Sequence, residues 1–228
     1  MKKLLSIALV LGLVTVVSAK EADKPQYRAD VVPKKMTVAQ KKARFYALLV
    51  PPVEKVYAEL EAEYEAAKKD IKNHTNPKKI EALKKKYKAK SDGELLKRMK
   101  PHPKSITLAQ AAMESAWATS RFFREANNVF GVWSSNKNEK RIAAGEKRGG
   151  TRTIWLRKFD SIEDAVRAYY MMMSRTRTYK QFRDLNYKTD NVYEIVKGLR
   201  NYSERKDAYV KELRSMIKYN KLTKYDKA

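Results

Sequence analysis

Glu114 sits where a charged side chain needs a reason. Leu108, Ala109, Gln110, Ala111, Ala112 and Met113 precede it, and Ser115, Ala116, Trp117 and Ala118 follow. A helix of such small residues packs closely on several faces. A carboxylate on it is either paired with a buried cation or held in a weakly solvated cleft with a raised pKa. The second setting makes a general acid, which stays protonated near neutral pH and can hand its proton to a leaving oxygen. The first makes a structural ion pair, and the helix alone leaves both open. Composition removes other chemistries. With no cysteine there is no thiol nucleophile, thiolate metal site or disulfide, and with two histidines there is no three-histidine metal site. His74, in a polar loop, and His102, between Pro101 and Pro103, have no partner at ligand spacing and are expected at the surface. No metal or cofactor is expected.

Aromatic side chains are the other residues that could meet a ligand. Trp117, inside the alanine-rich stretch, is expected in the core, as are Met171, Met172 and Met173. Trp133 and Trp155 are expected to line a groove, where flat rings suit the apolar faces of pyranoses.

The elements that must position these residues are mostly helical. Phe45, Leu48, Leu49, Val53, Val56, Leu60, Tyr64, Ala67 and Ile71 recur at helical spacing, with a break expected at Pro51-Pro52. Ile80, Leu83 and Tyr87 give a further, lysine-rich helix after Asn76-Pro77. Pro101-His102-Pro103 must be extended and reads as a joint. A helix capped by Ser105 or Thr107 is expected to run through Trp117 and to end at Asn127-Asn128. A stretch rich in Gly, Lys and Asn (residues 134–150) and the β-branched, aromatic run at residues 151–156 suggest a hairpin. Ser161 with Asp164 is a capping pattern opening a helix with Ile162, Val166, Tyr169 and Met173 inward. Further helices are expected around residues 179–185, 192–199 and 203–219.

Residues 1–19 have the layout of a cleaved secretory signal peptide: Lys2 and Lys3, an apolar stretch over residues 4–17, then Val17-Ser18-Ala19. The apolar stretch is shorter than the ~20 residues a spanning helix needs, so no stable membrane anchor is expected after cleavage. The chain carries 51 Lys+Arg against 26 Asp+Glu, a formal charge of +25. Charge is shared almost evenly between residues 20–104 and 105–228 and implies an anionic partner. Export favours anionic envelope polymers. A nucleic-acid partner rests on charge alone, without any recognition signature, and is not expected.

Residues 108–122, followed by Asn127-Asn128-Val129-Phe130-Gly131-Val132-Trp133, resemble the glucosaminidase domain of glycoside hydrolase family 73, and its Bax-type bacterial members in particular. The resemblance extends to Arg157-Lys158-Phe159-Asp160-Ser161 with Ala168-Tyr169, and to Asn201-Tyr202-Ser203-Glu204-Arg205 with Tyr209-Val210. It implies a mainly α (α+β), lysozyme-like helical domain with one small β-hairpin, over residues 105–221. An N-terminal helical segment (residues 20–104) would precede it and a C-terminal tail (residues 222–228) would follow. It also implies an exported peptidoglycan hydrolase, an endo-beta-N-acetylglucosaminidase with Glu114 as catalytic acid and Tyr202 facing the site. Asn128, Phe130 and Gly131 would floor the sugar groove. The alternatives are a lytic transglycosylase and a catalytically weak wall-binding scaffold. Two departures stand out. Relatives usually have glycine where this chain has Ala116 and Ala118, which is expected to stiffen the helix. Many carry a second glutamate on the strand where this chain has Ile154-Trp155-Leu156. The remaining candidates for a second group are Glu139, Glu146, Glu204, or the substrate's own N-acetyl group.

Overall fold

The computed structural model describes residues 27–148 and 152–227, so the expected signal peptide lies outside the described residues. Among them, no helix is long and apolar enough to cross a membrane.

Helix α1 (Val38–Lys72) opens with a capping box: Thr37 Oγ1 accepts from Gln40 N at 3.2 Å, and Gln40 Oε1 accepts from Thr37 N at 2.9 Å. The break expected at Pro51-Pro52 does not occur, and the helix runs through both prolines for 35 residues. Two missing N–H groups cost a helix ~3 kcal/mol or more per proline. Phe45, Leu49, Val53 and Val56, all fully buried on one stripe across those prolines, return ~1.5–3 kcal/mol each. Tertiary burial therefore keeps the helix continuous.

The first half of α1 joins the main core with residues from the rest of the chain, so that core takes in both sides of residue 104. The second half packs on α2 (Pro77–Tyr87) and α3 (Asp92–Met99) in a smaller cluster of Tyr64, Ala67, Ile80, Leu83, Tyr87, Leu95 and Met99. Pro101-His102-Pro103 is extended as expected, but His102 is not at the surface. It is buried, its ring stacks on Tyr170 at 4.5 Å, and its Nε2 lies 3.0 Å from Thr107 Oγ1. Burial pushes its pKa down to about 3, which keeps the imidazole neutral, and Thr107 serves the ring nitrogen.

Helix α4 (Lys104–Glu114) begins after Pro103, so Ser105 and Thr107 lie within its buried first turns and do not cap it. Ser105 N instead donates to Asp226 Oδ1 at 2.8 Å. The stretch expected to be a C-terminal tail thus docks on α4, with a 3-10 turn at Leu222–Tyr225 and Leu222 buried. The expected helix through Trp117 stops at Glu114, and the chain re-enters helix as α5 (Arg121–Ala126).

Strands β1 (Arg141–Arg148) and β2 (Arg152–Arg157) form the expected antiparallel hairpin. Arg141 lies opposite Arg157, Ala143 opposite Trp155, and the register shifts between Ala143 and Lys147. Gly145, inside that irregularity, has φ +90, a conformation that favours glycine. Helix α6 (Ile162–Arg175) is capped by Ser161, whose hydroxyl accepts from Asp164 N at 3.0 Å. It buries Val166, Tyr169, Tyr170 and Met173, while Met171 and Met172 are half-buried. Helices α7 (Lys180–Lys188), α8 (Val192–Ile195) and α9 (Asp207–Tyr219) follow, and α9 packs on α4.

Candidate active site

Glu114 is the last residue of α4, and the next six residues explain why the helix stops there. Ala116, Trp117 and Ala118 all have positive φ, at 52, 63 and 60. Three successive left-handed residues cannot continue a helix of L-amino acids. Side chains hold the turn. Ser115 Oγ accepts from Ala118 N at 2.8 Å, and Thr119 Oγ1 donates to Ala116 O at 2.7 Å. The fully buried Arg44 of α1 donates from Nη1 to Ala118 O at 2.6 Å, and from Nη2 to the carbonyls of Arg28 and Ala29. Ala116 and Ala118 therefore stiffen no helix. They occupy backbone positions where glycine would be unstrained. Trp117 rides on this turn, half-buried and edge-on to Phe45 at 5.1 Å.

Because the chain turns away, Glu114 as a residue is exposed at the end of an otherwise buried helix, while its carboxyl makes a part-buried contact with Tyr209. Behind it runs a chain of polar groups. Tyr169 Oη donates to Gln110 Oε1, Gln110 Nε2 donates to Tyr209 Oη at 2.8 Å, and Tyr209 Oη donates to Glu114 Oε1 at 3.3 Å. Tyr169, Gln110 and Tyr209 are all buried. Tyr202 stacks on Tyr209 at 5.4 Å and 15°, and Tyr179 stacks on Tyr202 at 5.8 Å. Burial of the carboxyl raises the Glu114 pKa, against the Tyr209 hydrogen bond and the Arg205 charge, which lower it; the Glu212 charge adds to the rise. Arg205 and Glu212 pair at 2.6 Å. Burial also raises the pKa of Tyr202 well above its usual range, with the charges of Tyr209, Glu114 and Tyr179 adding to it.

A second group of residues builds the turn and hairpin. Asn128 is buried and all its bonds go to backbone: Nδ2 donates to Val132 O and Arg157 O, and Oδ1 accepts from Val132 N. Its amide clamps the turn to β2. Phe130 is likewise buried, stacked on Tyr169 at 4.0 Å and 15°, and so supports the polar chain from beneath. Gly131 has φ +65 with open space at its Cβ position, so backbone conformation and not crowding favours glycine there. Trp133 is 62% exposed and bridges to Leu156. Trp155 is half-buried with the Arg141 guanidinium 4.3 Å over its ring. Glu139 is tied to Arg157 at 3.3 Å and Glu204 is exposed. Glu146 falls in β1, and its side chain lies outside the described residues. Among the described residues no group of three His, Cys, Asp or Glu could hold a metal ion.

The sequence model of the Glucosaminidase family, described as mannosyl-glycoprotein endo-beta-N-acetylglucosaminidase, matches residues 89–222. The chain belongs to the glucosaminidase family. Protein bax of Escherichia coli (strain K12) is 30% identical over 113 residues, which are 46% of this chain and 39% of that protein, so the chain matches well under half of that relative. The catalytic domain of the autolysin Auto from Listeria monocytogenes has a TM-score of 0.52 at 18% identity, covering 85% of this chain and 92% of that one. The glycoside hydrolase domain of FlgJ from Salmonella typhimurium has a TM-score of 0.50 at 19% identity, covering 80% and 90%. The mainly helical, lysozyme-like architecture with its small two-stranded sheet is thus the fold shared with these two domains.

The family match encloses Glu114, Tyr202 and the hairpin, whereas α1 and α2 precede it. The structure brings Glu114 and Tyr202 together through Tyr209, and joins the turn at Phe130 to them through Tyr169. Gln110 and Tyr209 were not singled out in the sequence as partners of Glu114. The signal for Gln110 was its position four residues before Glu114, on one helix face.

Proposed function

We propose that this glucosaminidase-family protein is an exported endo-beta-N-acetylglucosaminidase, cleaving the β-1,4 bond after N-acetylglucosamine in peptidoglycan glycan strands with Glu114 as general acid. The observation that carries this reading is a solvent-reachable carboxyl with a raised pKa at the end of a buried helix, held by the Tyr209 hydroxyl. A carboxyl whose pKa is raised by burial holds its proton to higher pH than a free one and can pass it to the leaving glycosidic oxygen. The autolysin and glycoside hydrolase domains among the fold neighbours support a wall substrate and action outside the cytoplasm.

No glutamate stands on the strand segment Ile154-Trp155-Leu156, and Glu139 is engaged by Arg157. Substrate assistance fits this arrangement: the N-acetyl carbonyl oxygen attacks the anomeric carbon as Glu114 protonates the departing oxygen, and water then opens the oxazolinium ring, returning a proton to Glu114. Tyr202, beside Tyr209, would contact the sugar at that step. The scarcity of a second carboxylate equally suits a lytic transglycosylase, in which an internal hydroxyl and not water completes the reaction.

Sacculus digestion followed by mass spectrometry tests the reading. Wild type should release products with reducing N-acetylglucosamine ends and a retained anomer, and Glu114→Gln should slow release roughly 10²–10⁴-fold. Anhydro products would assign the transglycosylase, an inverted first product would remove substrate assistance, and undiminished digestion by Glu114→Gln would remove Glu114 as the acid.

A further inference from the structure

The positive charge looks evenly spread when the chain is halved, but the fold concentrates it. Between residues 66 and 90, at the end of α1 and through α2, ten lysines face only Asp70 and Glu81. Four of the ten are occupied: Lys68 by Glu65, Lys79 by Asp70, Lys84 by Glu81 and Asp92, and Lys86 by Glu63. Lys69, Lys72, Lys78, Lys85, Lys88 and Lys90 are exposed and form no ion pair among the described residues. Their placement follows from packing. Ile80, Leu83 and Tyr87 turn one face of α2 onto α1, which puts Lys78 and Lys85, seven residues apart, on the opposite face. Lys69 and Lys72 stand in the last turn of α1, where the helix dipole favours cations; that accounts for two charges but not for six.

Apart from Lys90, these lysines lie before the segment that matches the glucosaminidase family, and the hairpin packs with α3 in a small core apart from the one around Glu114. A surface with six uncompensated ammonium groups suits a partner that presents many negative charges at once. Each contact is weak and screened beyond ~8 Å at physiological salt, but several engaged together hold a polymer.

We propose that the lysine face of the α1–α2 hairpin is an anchoring surface for the free carboxylates of peptidoglycan stem peptides, which keeps the enzyme on the wall while the site at Glu114 works on the glycan. The proposal rests on the wall-hydrolase reading for its choice of polymer, but its test does not require cleavage. The fourfold variant Lys69→Gln/Lys72→Gln/Lys78→Gln/Lys85→Gln removes surface charge without touching the site. Pelleting with purified sacculi, on a Glu114→Gln background so that the polymer stays intact, should show the retained fraction falling at least fivefold, with a flatter dependence on salt. Intact chain should also lose retention on sacculi whose carboxylates have been amidated. On soluble, peptide-free glycan oligomers the fourfold variant with Glu114 intact should keep wild-type kcat and KM, and its thermal midpoint should stay close to wild type. Equal pelleting of the variant and the parent overturns the proposal, as does undiminished retention on amidated sacculi. A protein that pellets as proposed but cleaves no glycan would overturn the catalytic reading and leave the anchoring one standing.

Discussion

Tyr209 bears on Glu114 in a way that a single atom can isolate. Its hydroxyl donates to Oε1 and so favours the carboxylate, opposing the burial that raises the pKa. Tyr209→Phe keeps the ring and its stack on Tyr202 but deletes that bond, so the Glu114 pKa should rise further. A general acid is active in its protonated form, so activity is present below the pKa and lost as pH climbs through it. The alkaline limb of the kcat/KM profile should therefore move to higher pH in Tyr209→Phe. The substitution also strips Gln110 Nε2 of its acceptor in a buried place, which should lower stability by about 1–3 kcal/mol. Lost stability alone would not move the limb, and an unmoved or acid-shifted limb would show that the hydroxyl does not tune the acid. Glu114 was conspicuous in the sequence as a charge among small-sided neighbours, and the family resemblance implied its role. The polar chain behind it was not, because its bonds join residues 59, 99 and 95 positions apart and leave no local pattern.

The turn after α4 is the element on which the site depends, since it ends the helix at Glu114. Each L-residue in the left-handed region costs roughly 1–2 kcal/mol, and three stand in a row. Ser115, Thr119 and Arg44 hold the strained turn with three bonds, one of them from 74 residues away. Ala116→Gly should relieve part of that strain. Ala116 is exposed, so no packing is lost, and the gain is offset in part by the extra freedom of glycine in the unfolded chain. Urea denaturation should show a net gain of about 0.5–1 kcal/mol, with the m-value unchanged. A loss of stability would mean that the alanine methyl serves a contact beyond the turn. The helix end was hidden in the sequence because alanine is the strongest helix former, and local propensity pointed through Trp117. The cap at Ser161 and the hairpin were visible because the residues that make them are neighbours in sequence. The run of α1 through Pro51-Pro52 inverts the helix-end error: there local chemistry argued for a break, and burial along the stripe overrode it.

At the scale of the whole molecule, the family match covers residues 89–222, but the core it needs does not begin at residue 89. Phe45, Leu49, Val53 and Val56 are fully buried in the same cluster as Ile106, Leu108, Ala109 and Tyr169. Arg44, on the same helix, holds the turn that ends at Ser120. Removing α1 would uncover the other side of those contacts. Four large apolar side chains at ~1.5–3 kcal/mol each amount to about 6–12 kcal/mol, the same size as the whole stability of an ordinary domain, ~5–15 kcal/mol. A fragment of residues 89–228 should therefore fail to fold independently. It should bind a hydrophobic dye and unfold without a cooperative transition, whereas a chain from residue 27 should unfold in one step by circular dichroism and calorimetry. The lysine hairpin hangs from the far half of that same helix, so α1 would be shared between two tasks: its first half completes the catalytic core and its second half carries the charged surface. Cooperative unfolding of the fragment at near-native stability would separate the two halves and make all of α1 an accessory.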